Sequence, residues 1–448
     1  MNKIKRTFIH GVILTIFILL KQTAFAQEPP KYVLNALNAV EKLIQSEGDE
    51  AIQKFIQESM VVDNKKADYK NLAEHLKSIR AETKDLTDDI SVEAEPDGVS
   101  LYLSARGVTK KLKIELGPNG IYDLYMTKAP EPIILTENNI QQTIDRLEEE
   151  GMSGVVYVKK DGKILMKHAF GFANKELKIR NTVQTIFGTG SRPIDYTVAA
   201  IYLLNQQNKI GLDETIDKYF ENVPEDKKSI TIQDLLTGKS GLPDFFHTEE
   251  DWDPDLAWIN RETAEKRLLS QHLLFAPGQD QKHSHAAFGL LAALIERVSG
   301  MEYYQFLKKN FFDPAGMTAT GEYGITLGHS ISEFAEGDGP QFVGLPNIPT
   351  NWGPTSWLVK GSGGMYSNLD DLLKFYEYLR SGKVLDKEHM QPFLRQSINS
   401  DGSDRGFELF SAFISPDDEL YIFINSKSDP AQMRQLFGAF EKFLDSKR

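Results

Sequence analysis

Two alternating apolar–polar blocks enclose a long helical stretch, and this order limits what the second half of the chain can fold into. The first block, GVVYVKKDGKILMKHAFGFAN, begins at Gly154; the second, GFELFSAFI followed by ELYIFINS, ends at Ser426. Between them, helical periodicity recurs at 195–208, 262–273, 286–298, 302–311 and 369–381. Asp161-Gly162 provides the turn that makes the first block a hairpin. Strand backbone must be paired when buried, so the pattern predicts one sheet assembled from both ends of the region. A last helix, AQMRQLFGAFEKFLD, follows it.

The preceding region obeys a different order. KYVLNALNAVEKLIQ, DEAIQKFIQESM and YKNLAEHLKSIRAE are helical in period; ISVEAE, VSLYLSA, KLKIELG and YDLYMT then alternate, separated by glycine-containing turns. Helices followed by an antiparallel meander predict a small α+β domain over 27–130, with an NTF2-like order of elements. It carries no catalytic constellation and reads as an accessory module or as one through which the chain forms a homodimer. KAPEPIILTEN (128–138) links it to a second domain over 131–448.

Residues 1–26 stand apart: basic MNKIKR, apolar TFIHGVILTIFILL, then Ala24-Phe25-Ala26. This is the pattern of a secretory signal cleaved after Ala26, which places the mature chain outside the cell or in the periplasm with no stable membrane anchor. The absence of cysteine excludes disulfides, thiolate metal sites and a lipidated cysteine. A formal charge of −13 argues against nucleic acid as a partner.

Chemistry concentrates at FGTGSRPIDYTVAAIYLL, where Ser191 stands at the head of a helix. Downstream come LNQQNKIGLDETIDKYFENVP, SITIQDLLTGKSGLPDF, FAPGQDQKHSHAAFGLLAALIERVSG and GSGGMYSNLDDLLKFYEYLRSG. Together with the hairpin and the terminal strands, these segments resemble, in order, the serine β-lactamase and penicillin-binding family on its class C and esterase-like side. The resemblance implies a β-lactamase/transpeptidase-like α/β domain, an antiparallel sheet flanked by helices with a helical subdomain. It also implies a peptidoglycan-type or other small-molecule ligand, and no cofactor.

The family's chemistry uses Ser-x-x-Lys, whose amine one turn on activates the serine. Here the tetrad is Ser191-Arg192-Pro193-Ile194, and Ile194 cannot accept a proton. The family's Tyr-x-Asn corresponds to His283-Ser284-His285, and its inner-strand cation to the first residue of Ser400-Asp401-Gly402. Little sequence lies before residue 400 to form the strand that normally carries that cluster. One reading follows directly: a homologue that binds a cell-envelope ligand through Ser284, His285, Ser400, Asp401 and Gly402 without hydrolysing it. A second reading keeps the chemistry, with Ser191 as nucleophile and His283 as base. The oxyanion hole would then come from the Ser191 N–H and from Gly402–Arg405. A third is an interaction protein acting through its N-terminal domain.

Other residues carry bland readings. His-x-His is a fragment of metal sites, but no spacing supplies the third ligand, which would have to be His247, His272 or a carboxylate, and no metal is expected. Lys239 and Lys360 are stray amines near family landmarks. Trp252, Trp258, Trp352 and Trp357 fall in segments that could wall the cleft, or pack. Ser367-Asn368-Leu369-Asp370 fits a helix-capping pattern.

Overall fold

A computed structural model of the chain describes residues 30–62, 69–86, 89–95, 97–105, 108–127, 133–251, 257–339, 346–403, 405–426 and 430–445. The expected signal at 1–26, Trp252 and the first part of the linker lie outside these residues. The chain divides into two compact units: Met1–Pro132 with Pro430–Gln432, and Ile133–Asp429 with Met433–Arg448.

Among the described residues of the first unit three helices, α1 (Lys31–Gln45), α2 (Asp49–Ser59) and α3 (Tyr69–Thr83), precede four strands. The strands β1 (Asp89–Glu95), β2 (Gly98–Ala105), β3 (Val108–Gly117) and β4 (Gly120–Thr127) form an antiparallel meander in sequence order. Helix α1 buries Val33, Leu37, Val40 and Ile44 at helical spacing. These meet Leu76 of α3 and Leu112, Ile114, Ile121 and Leu124 of the sheet in one core.

The second unit opens with α4 (Ile140–Glu149) and the hairpin β5 (Ser153–Lys160) and β6 (Lys163–Phe170). Asp161 and Gly162 have φ of 50° and 75°, the left-handed pair that a tight hairpin turn demands. After the short strand β7 (Phe187–Gly188) come the helices α5 (Pro193–Gln206), α6 (Ile232–Thr237), α7 (Arg261–Ser270) and α8 (His285–Ser299). Two short strands follow, β8 (Gly321–Glu322) and β9 (Met365–Ser367), then α9 (Leu369–Arg380). The unit ends with β10 (Ser397–Ser403), β11 (Phe407–Ser415), β12 (Asp418–Ser426) and, from Met433 on, α10 (Pro430–Asp445).

The five-stranded antiparallel sheet runs β10-β11-β12-β5-β6, so strands from both ends of the region meet where β12 pairs with β5. Side chains alternate between its faces. Val156, Val158, Phe410 and Ile422 pack under α4 and α10, with Phe437 stacked on Phe410 at 4.5 Å. Val155, Tyr157, Leu409 and Phe423 face the helical side, where Ala286 through Ile295 of α8 are buried.

Two sequence readings are corrected here. The strand before residue 400 is present: β10 pairs with Phe407–Phe413 along all its seven residues. It escapes notice because it is an edge strand, SINSDGS, with no apolar alternation to announce it. The cap of α9 is Asn368, whose side chain accepts from the Asp371 N–H at 2.9 Å, while Ser367 lies on β9 and bonds Thr320. Among the described residues, no helix is long and apolar enough to cross a membrane.

Candidate active site

The turn that presents Ser191 is fixed from two sides. Strand β7 pairs with β9, and Thr189 places both its N–H and its hydroxyl on the Met365 carbonyl, at 3.2 and 2.9 Å. Gly190 then takes φ +53°, and a Cβ on it would stand 2.6 Å from the Gly402 carbonyl oxygen of β10. Only glycine permits that approach of turn to strand. Ser191 follows, half-buried, and Pro193 opens α5, where a missing N–H costs no helical bond. Among the described residues the Ser191 N–H makes no hydrogen bond. Ile194, at the place of the family's lysine, packs against the large core.

A histidine on another element meets this serine. Ser191 Oγ lies 3.0 Å from Nε2 of His285, and His285 Nδ1 lies 2.7 Å from Oδ1 of Asp244. A carboxylate only accepts, so Nδ1 carries the proton and Nε2 offers its lone pair to the serine hydroxyl. Three further contacts set the ring. Asp244 Oδ1 also accepts from the His285 backbone N–H at 3.0 Å, and the Asp244 carbonyl accepts from the Ala286 N–H at 2.8 Å. Phe245 stacks on the imidazole at 4.6 Å, with the planes 15° apart. The carboxylate therefore sits at the N-terminus of α8, where the helix dipole favours negative charge. Burial opposes its ionisation, but the hydrogen bonds from the His285 ring and backbone outweigh it and hold Asp244 below its ordinary value.

His283, the base expected from sequence, does not hold this position. Its ring packs edge-on against His285, centroids 4.7 Å apart, and reaches the surface outside the latch that Asp244 makes. Although part of the residue meets solvent, desolvation of its ring and the neighbouring His285 keep its pKa below the ordinary imidazole value, against the pull of Asp244. Ser284, expected to touch substrate, instead caps α8: it accepts from the Ala287 N–H at 3.1 Å and donates to the Pro243 carbonyl at 2.7 Å. The sequence reading missed Asp244. Its one signal was a carboxylate directly after the Ser240-Gly241-Leu242-Pro243 landmark, and nothing in the spacing ties it to a histidine 41 residues on.

A buried cation joins the nucleophile turn to β10. Arg192, 3% exposed, donates to Asp195 at 3.0 Å, to the Tyr376 hydroxyl at 2.8 Å, to Ser411 Oγ at 2.8 Å and to Asp401. Burial pushes the Asp401 carboxyl up to about 6, in spite of the opposing Arg192 charge. Asp401 is thus held by the scaffold, and Ser400 is exposed on the alternate face of β10, opposite Phe410. Gly402 does border the nucleophile turn.

The stray groups resolve simply. Lys360 pairs with Glu322 at 2.8 Å over the Trp357 ring, and Lys239 is exposed. Trp352 and Trp357 are buried packing residues, Trp352 donating to Asn347 at 2.9 Å, whereas Trp258 is exposed.

The Beta-lactamase family profile matches residues 140–410. The chain is 28% identical over 254 residues to a penicillin-binding protein of Bacillus subtilis, covering 54% of this chain and 55% of that one. It is 27% identical over 234 residues to a D-aminopeptidase of Brucella anthropi, covering 51% and 43%. These matches span about half the length of those relatives. The penicillin binding protein from Bacillus halodurans superposes with a TM-score of 0.54 at 24% identity, over 68% of this chain and 98% of that one. EstCE1, a hydrolase with promiscuous acyltransferase activity, gives 0.55 at 19% identity, over 69% and 99%. At such identities the solved structures attest to the fold alone. The profile runs over more than half of the chain and takes in the nucleophile turn, the Asp244 loop and the start of α8; the chain belongs to the Beta-lactamase family, among the β-lactamase-like and penicillin-binding serine hydrolases.

Proposed function

We propose that this chain is an active serine acyl hydrolase that uses Ser191, His285 and Asp244 in place of the family's serine and lysine. One observation carries the reading: the unbroken hydrogen-bond line from Ser191 Oγ through His285 to Asp244, at 3.0 and 2.7 Å. In the first step Oγ bonds the acyl carbon while its proton passes to Nε2, and Asp244 stabilises the imidazolium. The imidazolium then protonates the departing alkoxide or amine, leaving an acyl-serine. In the second step the same nitrogen takes a proton from water, whose oxygen adds to the acyl carbon; the C–Oγ bond then breaks as Nε2 returns the proton to Ser191, releasing the acid. The oxyanion is held by the Ser191 N–H and by backbone of the Gly402–Ser403 edge. The substrate is a small acyl ester or an amide of peptidoglycan type; the penicillin-binding and D-aminopeptidase names among the relatives support the amide.

The lost lysine alone would suggest a silent binding protein; a base arriving from α8 removes the reason for that reading. Export through residues 1–26 and an accessory, dimerising role for residues 27–130 complete the proposal, and both rest on sequence pattern. The test is labelling of the purified chain by a fluorophosphonate. Wild type should label, and Ser191→Ala and His285→Ala should not. A wild type that stays unlabelled, with Ser191 intact, returns the chain to the binding-protein reading.

A further inference from the structure

We infer that Asp244, His283 and His285 also form a site for a divalent transition metal, Zn2+, whose occupation switches the serine off. The three side chains each offer one ligand atom, and these atoms lie within 4.8 Å of one another. Imidazole and carboxylate are the donors Zn2+ takes, and three protein ligands with a fourth position open is a common arrangement. Bonds of about 2.0–2.1 Å require ligand atoms roughly 3.3 Å apart, so the wider separations must close while the Asp244 Oδ1–His285 Nδ1 pair, now at 2.7 Å, must open. The residue that must move is the one able to. His283 precedes the Ser284 cap, is exposed, and makes no hydrogen bond among the described residues. Sequence alone could not find this set, because the carboxylate that completes His-x-His lies on the loop after α6 and is brought over by the latch on α8.

The switch follows from the valence of imidazole. A neutral ring has one lone pair and one N–H. If the metal takes Nε2, that nitrogen can no longer accept the proton of Ser191. If it takes Nδ1, the proton moves to Nε2, which then has no lone pair, and the bond to Asp244 is given up as well. Either mode withdraws the base from a serine 3.0 Å away. Metal binding and the proton line are mutually exclusive, and by linkage any ligand that requires the line weakens the metal. The binding half of this inference stands on the cluster alone; the switching half rests on the serine hydrolase reading.

The experiment uses the full chain, stripped with a chelator, and Zn2+ as the only added metal. Calorimetry should give one Zn2+ per chain, with affinity lowered at least tenfold in His283→Ala and in His283→Phe, the latter keeping a ring against His285. In parallel, Zn2+ should slow fluorophosphonate labelling of wild type at least tenfold and leave both variants unaffected. Without metal the variants should label within about twofold of wild type. No binding to wild type, or equal binding to the His283 variants, overturns the site. Binding that leaves labelling unchanged or speeds it overturns the switch. A wild type that binds Zn2+ but never labels sinks the hydrolase reading and with it the switch, while the site stands.

Discussion

Asp244 holds His285 through side chain and backbone at once, so its removal should damage alignment far more than stability. Asp244→Asn keeps the shape but presents an amide, which favours the wrong tautomer of the ring. The acylation rate is expected to fall roughly 10³- to 10⁴-fold. Burst kinetics with a chromogenic ester would measure it, alongside a melting temperature that shifts by a few degrees at most. Returning the family's amine tests the opposite point. Ile194 is partly buried against the large core, and an ammonium there gives up part of its solvent. Ile194→Lys should cost about 1–3 kcal/mol in urea unfolding and bring no gain in labelling. A faster-labelling variant would show that the scaffold still accommodates a serine–lysine pair. The serine and the loss of its lysine were readable from four letters of sequence. Which histidine serves was not, because His283 and His285 differ only in their side of a helix cap, and the deciding carboxylate is distant in sequence.

At the scale of elements, the apolar strands and helices were legible because burial writes itself as period: Val155 and Tyr157 to one face, Val156 and Val158 to the other. Strand β10 was not, since a polar edge strand is specified by its neighbour and by the Arg192–Asp401 tie rather than by its own pattern. That tie predicts a pH signature. The folded chain holds a proton on Asp401 from its ordinary value of 3.8 up to about 6, where the unfolded chain has already released it. The carboxyl therefore favours folding most at low pH, and this contribution is lost as pH rises through that window. Relative to Asp401→Asn, wild type should lose about 2 kcal/mol between pH 4 and pH 7 in urea unfolding. A difference that grows with pH instead would show that Arg192 outweighs burial. The cap of α8 is simpler: Ser284→Ala should cost about 1–2 kcal/mol, because the Pro243 carbonyl loses its donor as well. Thermal melts with and without covalent label would separate that cost from any loss of acylation.

For the molecule as a whole, two units with separate cores should melt as two events. A fluorophosphonate bound at Ser191 should raise only the transition of the unit that holds it, by calorimetry; a single transition moving as one would mean the units unfold together. The sheet order has a further effect on how such a chain comes into being. Strand β12 stands between β11 and β5, so the hairpin written first waits, one edge unpaired, until the last strands arrive. Ser191 and His285 are both translated during that wait. A ribosome must therefore deliver the chain through β12 before the site has a floor, and any nascent chain released before Asp418 should be inert and prone to clump along its open edge.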